Sequence, residues 1–222
     1  LANDQLRRLR EILLDFPDIT FGRYTGETLD TRSDAESQYC QQFPGSPLLP
    51  NELISRDELR AKPPHLLLTN YSMLEYLLLR PIDCKLFDGE TGNHWRYVVL
   101  DEAHTYDGAA GAEVAMLLRR LKDRVVRSVP GRITAIATSA TLGKGRQEYA
   151  GVAQFASALF GEVFEWIESD ANRQDVLEAS YLPWELSRQT WGSGQLGAYT
   201  ALVCAADCRA GLLELANIAA AQ

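Results

Sequence analysis

Zinc and disulfide chemistry are the first classes that this sequence excludes. Its 222 residues contain three histidines and four cysteines, and Cys40, Cys84, Cys204 and Cys208 nowhere form a paired C-x-x-C spacing. Cys204 and Cys208 stand four apart in the helical run ALVCAADCRAGLLELA, where small thiols belong on an apolar face, and all four are expected to be reduced. His65 and His94 have no partners at ligand spacing and are read as ordinary loop or strand-end residues. No stretch reaches the roughly eighteen uninterrupted apolar residues of a membrane span, and no N-terminal signal pattern is present, so a cytoplasmic location without membrane contact is expected. Positive charge is also short: 22 Lys and Arg face 30 Asp and Glu, a net charge of -8. A nucleic-acid partner would have to be held by a local patch or by backbone amides. A phosphate loop, G-x-x-x-x-G-K-[ST], is missing too. In SATLGKGRQ, Lys144 follows Gly143, but Thr138 stands where the first glycine belongs and Gly145 where Ser or Thr belongs.

What is present is a chain that is 46% apolar, enough for a core of one domain with an appendage. Leu6, Leu9, Leu13 and Phe16 repeat at helical spacing, which predicts a helix over residues 1–16 ended by Pro17. DITFGRYTG alternates like a short strand that delivers a loop. Residues 29–64, with five prolines, predict irregular structure with one short helix near 55–61. Then HLLLTN reads as a strand, YSMLEYLLLR as a helix, WRYVVL as a strand, and Val114, Leu117, Leu118, Leu121 and Val125 mark a helix. ITAIATSAT and YAGVAQFASALF supply a further strand and helix. Alternating strands and helices predict βαβ units and a parallel sheet covered on both faces. From about residue 166 the alternation ends, and residues 166–222 are expected to form a mostly helical extension. Trp184 and Trp191 are assigned there to packing. The first residue is Leu1, in mid-helix pattern, and the sequence reads as an excerpt of a longer chain.

Asp101 and Glu102 follow a run of apolar residues, at the strand edge where open parallel sheets bind ligands. Two adjacent carboxylates repel, an arrangement that makes sense where a divalent cation offsets the charge. Magnesium with a nucleoside triphosphate supplies that. Ser139, Ala140 and Thr141 follow the next strand, and hydroxyls there can bond across to His104. The basic run RRLKDRVVR, residues 119–127, reads as a solvated helix face.

With these residues in view, the sequence resembles the DEAD/DEAH-box branch of superfamily 2 helicases. VVLDEAH is similar to the Walker B element of that family and SAT at 139–141 to its motif III. LANDQ resembles the tail of motif Ia, YTGET motif Ib, and LLTNYSMLEY the nucleic-acid-contacting motif that follows. The resemblance implies a RecA-like three-layer α/β fold over residues 1–165, with residues 166–222 leading towards a second RecA-like lobe. It implies ATP and Mg2+ as cofactors, with Asp101 holding magnesium through water and Glu102 activating the attacking water. His104, Ser139 and Thr141 would couple hydrolysis to nucleic acid, DNA in preference to RNA. Thr25, Gly26, Thr69 and Asn70 would contact its backbone without reading bases. Within the family, LLTNYSMLEYLLLRP and LDEAHTYDGAAGAEVAMLLRRL are similar to large bacterial helicases of DNA repair and phage defence with a C-terminal cysteine-rich domain, a cluster not found here. The family places its phosphate loop before motif Ia, so the parent is expected to be the ATPase and the 222 residues alone to be inactive. The rival readings are a non-catalytic binding module derived from a helicase lobe, and a P-loop ATPase or nuclease subunit of another superfamily.

Overall fold

The structure, a computed structural model, describes residues 2–43, 45, 47–139 and 145–178. Contacts divide the chain into two compact units, Leu1–Leu177 and Glu178–Gln222. Thr141, Trp184, Trp191, Cys204 and Cys208 lie outside the described residues.

The described residues of the first unit carry five strands and seven α-helices in near-alternation. In chain order they are α1 (Ala2–Leu13), β1 (Phe21–Arg23), α2 (Arg32–Gln42), β2 (Glu52–Leu53), α3 (Arg56–Ala61), β3 (Leu66–Leu68) and α4 (Tyr71–Leu79). After these come α5 (Gly89–Asn93), β4 (Tyr97–Leu100), α6 (Gly108–Val126), β5 (Thr134–Ala137) and α7 (Tyr149–Phe160). Every described strand pairing is parallel, in two hydrogen-bonded sets ordered β2-β1-β3 and β4-β5. This is the parallel α/β class that the alternation implies.

Period-two patterning sends neighbouring strand residues to opposite faces. Phe21 and Leu68 pack with Leu6 and Leu13 of α1, whereas Tyr24 and Leu67 join Leu59, Leu77 and Leu121 on the other side. Gly22 must be glycine, because a Cβ there would lie 2.5 Å from the Leu53 carbonyl oxygen and 2.7 Å from Leu59 Cδ2. Helix α6 buries Val114, Leu117, Leu118, Leu121, Val125 and Val126, the apolar stripe visible in its sequence. Each such side chain contributes roughly 1.5–3 kcal/mol relative to exposure. Val98 and Leu100 of β4 face α6 and α7, while Tyr97, Val99 and Ile136 on the opposite face are 64%, 57% and 41% exposed.

Two expectations are corrected. Helix α1 ends at Leu13, and Phe16 is exposed; the Asn51 side-chain amide nitrogen lies 3.0–3.2 Å from the carbonyls of Leu13, Phe16 and Ile19 and fixes the turn that follows. Residues 29–64 carry α2 and β2 besides the short helix. Among its described side chains polar α2 buries Ala35 and Tyr39 alone, and Thr31 caps it by accepting from the Asp34 N–H. The basic run holds α6 to its neighbours. Arg119 donates to the Ala158 carbonyl, Arg120 pairs with Glu75, Lys122 with Glu162, and Arg124 with Asp88 in a two-pronged contact of 2.8 and 2.9 Å. His65 Nδ1 accepts the Thr20 N–H at 3.0 Å, a structural bond between β1 and β3 entries. No described helix is long and apolar enough to cross a membrane.

Candidate functional site

Parallel pairing of Leu100 with Ala137 makes Asp101 and Thr138 the next residues on adjoining strands, at their carboxyl ends. The Thr138 hydroxyl donates to Asp101 Oδ1 at 2.5 Å and accepts the Glu102 N–H at 3.3 Å. Backbone bonds on both sides lock this turn: Thr138 N–H to the Leu100 carbonyl at 2.9 Å, and Ala103 N–H to the Thr138 carbonyl at 2.8 Å. Gln5 of α1 donates to Asp101 Oδ2 at 2.9 Å. The Thr138 hydrogen bond holds the Asp101 carboxyl below its ordinary range against the opposing effect of burial, with help from Gln5, the Glu102 amide and the charge of Arg8.

Glu102 follows in a left-handed conformation, φ 52 and ψ 47, sparsely populated for a residue with a side chain. Glu102 Oε2 lies 3.2 Å from His104 Nδ1, but it is buried and no donor is aligned on it. His104 Nδ1 also lies 3.1 Å from Ser139 Oγ, so the strand ends brought together carry Asp101, Glu102, His104, Thr138 and Ser139. No described group of three or more His, Cys, Asp or Glu could cage a metal. What the donor set fits is an ion held by a single carboxylate and completed by water and phosphate, the habit of magnesium. Tyr106 closes one side, its hydroxyl pushed up by burial first, then by Tyr71 and by the negative charge of Asp101, and its ring meets Tyr71 edge-on at 6.2 Å. Gly111 lets α6 start against it, since a Cβ there would stand 2.5 Å from the Tyr106 carbonyl oxygen.

A second cluster lies at the carboxyl ends of β1 and β3. Residues 25–28 form a turn in which Thr28 N–H donates to the Thr25 carbonyl at 3.2 Å and Thr25 N–H to Thr28 Oγ1 at 3.0 Å. Thr25 is 7% exposed and its hydroxyl has no hydrogen-bond partner, whereas Gly26 faces open space. Thr69 Oγ1 donates to the Tyr24 carbonyl at 2.7 Å and thereby joins the two loops. Asn70 is exposed and caps α4, its Oδ1 accepting the Met73 N–H at 2.8 Å. The N–H groups of Gly26, Glu27, Tyr71 and Ser72 meet no acceptor among the described residues. Gly26 and Asn70 are therefore surface groups, and Thr25 and Thr69 shape the loops beneath them. A cavity of about 720 Å³ opens between α1, α2 and β2, lined by Arg10, Tyr39 and Glu52 among others, and includes neither Asp101 nor Glu102.

Sequence reasoning missed Thr138 and Gln5. The strand register held the signal for Thr138, because pairing β4 with β5 in parallel sets it beside Asp101. Gln5, 96 residues away in sequence, offered none. Thr138→Val is expected to raise the Asp101 carboxyl towards its ordinary value, read by carboxyl-carbon NMR titration. The folded-state pKa is depressed, so the stability from this bond is present above the unfolded value and disappears as pH falls through the folded one. In the valine variant that acid-side loss should shrink; an unchanged Asp101 titration would mean that another group holds the carboxylate.

Residues 1–149 match the family described as DEAD/DEAH box helicase. The chain is 48% identical over 101 residues to Druantia protein DruE of Escherichia coli (strain UMEA 4076-1), covering 41% of this chain and 5% of that protein. It is 32% identical over 151 residues to the uncharacterized ATP-dependent helicase YprA of Bacillus subtilis (strain 168), covering 66% of this chain and 16% of the relative. Among solved structures, the DUF1998 helicase MrfA is similar at 27% identity with a TM-score of 0.48, over 72% of this chain and 20% of that one. The chain thus spans a small part of the curated relatives it matches.

Proposed function

Because the chain belongs to the DEAD/DEAH box helicase family, we propose that it is most of the first RecA-like lobe of an ATP-dependent nucleic-acid helicase or translocase. Residues 1–165 supply the lobe and residues 166–222 lead towards a second one. The observation that carries this reading is the Asp101 carboxyl, held below its ordinary range, beside a buried Glu102 carboxylate oxygen that accepts no aligned hydrogen bond and has only His104 Nδ1 at 3.2 Å, at the ends of adjoining parallel strands. Asp101, fixed by Thr138 and Gln5, would hold magnesium through its water shell. The ion, when bound with the triphosphate, supplies charge stabilisation at the phosphates. Glu102 accepts the proton of the water that attacks the γ-phosphate. His104 and Ser139 sense the state of Glu102 through their mutual contact, and the Tyr106–Tyr71 ring contact links this edge to the strand-binding loops; Thr141 is assigned the same coupling role from its place in the SAT sequence alone.

Nucleic acid is held by the outward amides at Gly26, Glu27, Tyr71 and Ser72 and by Asn70. These groups take phosphates and read no bases, a mode compatible with a chain of net charge -8. A phosphate loop is not among the 222 residues, so turnover needs residues beyond them. The test is anisotropy of labelled oligo-dT and oligo-U with the 222-residue chain over a salt series. Binding that weakens as salt rises, tighter for DNA, is expected; no binding at low salt sinks the strand-binding half of the reading.

A further inference from the structure

The turn at residues 25–28 is gripped from behind by α3. Arg56 Nη2 lies 3.4 Å from the Thr25 carbonyl oxygen and 3.2 Å from that of Gly26, and Arg56 Nη1 lies 3.4 Å from Asp30. A trans peptide carries its C=O and N–H in opposite directions. A guanidinium that draws the Thr25 and Gly26 carbonyls inward therefore turns the Gly26 and Glu27 amides outward. These are the amides with no acceptor among the described residues, and a Cβ on Gly26 would meet nothing within 4 Å. Arg56 cannot easily swing away. Its side chain is 18% exposed, its guanidinium stands 5.7 Å over the Tyr24 ring, and its own N–H donates to the Leu29 carbonyl at 2.9 Å. Helix α3 is itself fixed at one end by the reciprocal Ser55–Glu58 cap and at the other by Arg60, which donates to the fully buried Asp83 at 2.8 Å and to the Tyr24 hydroxyl at 2.7 Å.

We infer that Arg56 is a positioning residue for phosphate recognition: it sets the peptide orientation of the 25–28 turn so that the Gly26 and Glu27 amides form an anion site beside the first turn of α4. The inference rests on the strand-binding reading above. Arg56 acts here through the backbone and not as a counter-charge, since its two Nη atoms face two carbonyls and Asp30 and its buried Nε has no partner among the described residues. Successive outward amides in a turn make an anion-binding concavity, and the Thr69–Tyr24 bond holds this one against the amides of Tyr71 and Ser72.

The test is a proton–nitrogen correlation spectrum of the 222-residue chain, titrated with inorganic phosphate and then with oligo-dT. In the wild type both are expected to shift the Gly26 and Glu27 amides. In Arg56→Gln those two shifts should vanish, oligo-dT affinity should fall roughly tenfold, and the rest of the spectrum should stay in place, which reports an intact fold. The slope of log affinity against log salt should stay unchanged, because a lost direct Arg–phosphate contact would reduce it by about 0.7 on a single strand. Arg56→Lys, with one nitrogen to offer, should fall between the two and serves as the test if the glutamine variant does not fold. Wild-type binding with unaltered Gly26 and Glu27 shifts or affinity in either variant, or a reduced salt slope, overturns the inference and leaves the strand-binding reading standing. A wild type that ignores oligo-dT overturns both.

Discussion

Glu102→Gln in the full-length protein is expected to lower nucleic-acid-stimulated ATP turnover by roughly 10²–10⁴-fold, the share that a positioned general base contributes, while nucleotide binding persists. Glutamine keeps the size and the left-handed backbone of the site but cannot take a proton. The buried Oε2 has no aligned donor, so the ground-state structure loses no hydrogen bond in the exchange. The fall therefore belongs in the chemical step, visible as a reduced kcat with little change in KM. Equal loss in binding and turnover would point instead to a collapsed site, and undiminished turnover would remove Glu102 from the mechanism. The unmodified 222-residue chain is the companion measurement, and it should show no stimulated hydrolysis.

The second large effect is on folding. Asp83 is fully buried, and its Oδ1 accepts from the Tyr24 hydroxyl at 2.7 Å and from Arg60 Nε at 2.8 Å, with Arg80 Nε 3.4 Å from Oδ2. Burial first, and then the bond to Asp83, push the Tyr24 hydroxyl up to about 12, so it stays a donor at any working pH. Removing one partner of a buried pair strands the other. Asp83→Ala leaves the Arg60 guanidinium, 11% exposed, and a buried phenol without their acceptor. A loss of about 3–5 kcal/mol is expected, read as a fall in the urea midpoint. Asp83→Asn, which still offers an oxygen to Tyr24, should lose less. A shift below about 1 kcal/mol for the alanine variant would show that water replaces the carboxylate.

The two sites were unequally legible in the sequence. The apolar run into Asp101 and Glu102, and a second run into Ser139, announce parallel strands whose ends meet, because buried strands of that length have few other uses in an alternating pattern. His104 beside Ser139 was readable for the same reason. Thr138 needed the register, and Gln5 needed the tertiary fold. Helix α2 escaped because hydrophobic periodicity is the signal for a helix, and this one buries two residues and stands on its cap. Thr25 looked like a surface contact in a Thr-Gly-Glu-Thr loop, yet its neighbour Thr28 draws its amide into the turn, a local choice that no composition rule predicts. Arg56 was legible only as one charge in a polar segment; its importance comes from the two carbonyls that fold beside it.

The bare side of β4 and β5, with Tyr97, Val99 and Ile136 in the open, has a colloidal consequence. Three large apolar side chains on adjoining strands form a flank that attracts its own kind, while a surplus of eight negative charges repels like copies. Salt screens the second force and leaves the first intact. A concentrated solution of this chain is therefore expected to stay dispersed in dilute buffer and to associate as ionic strength rises.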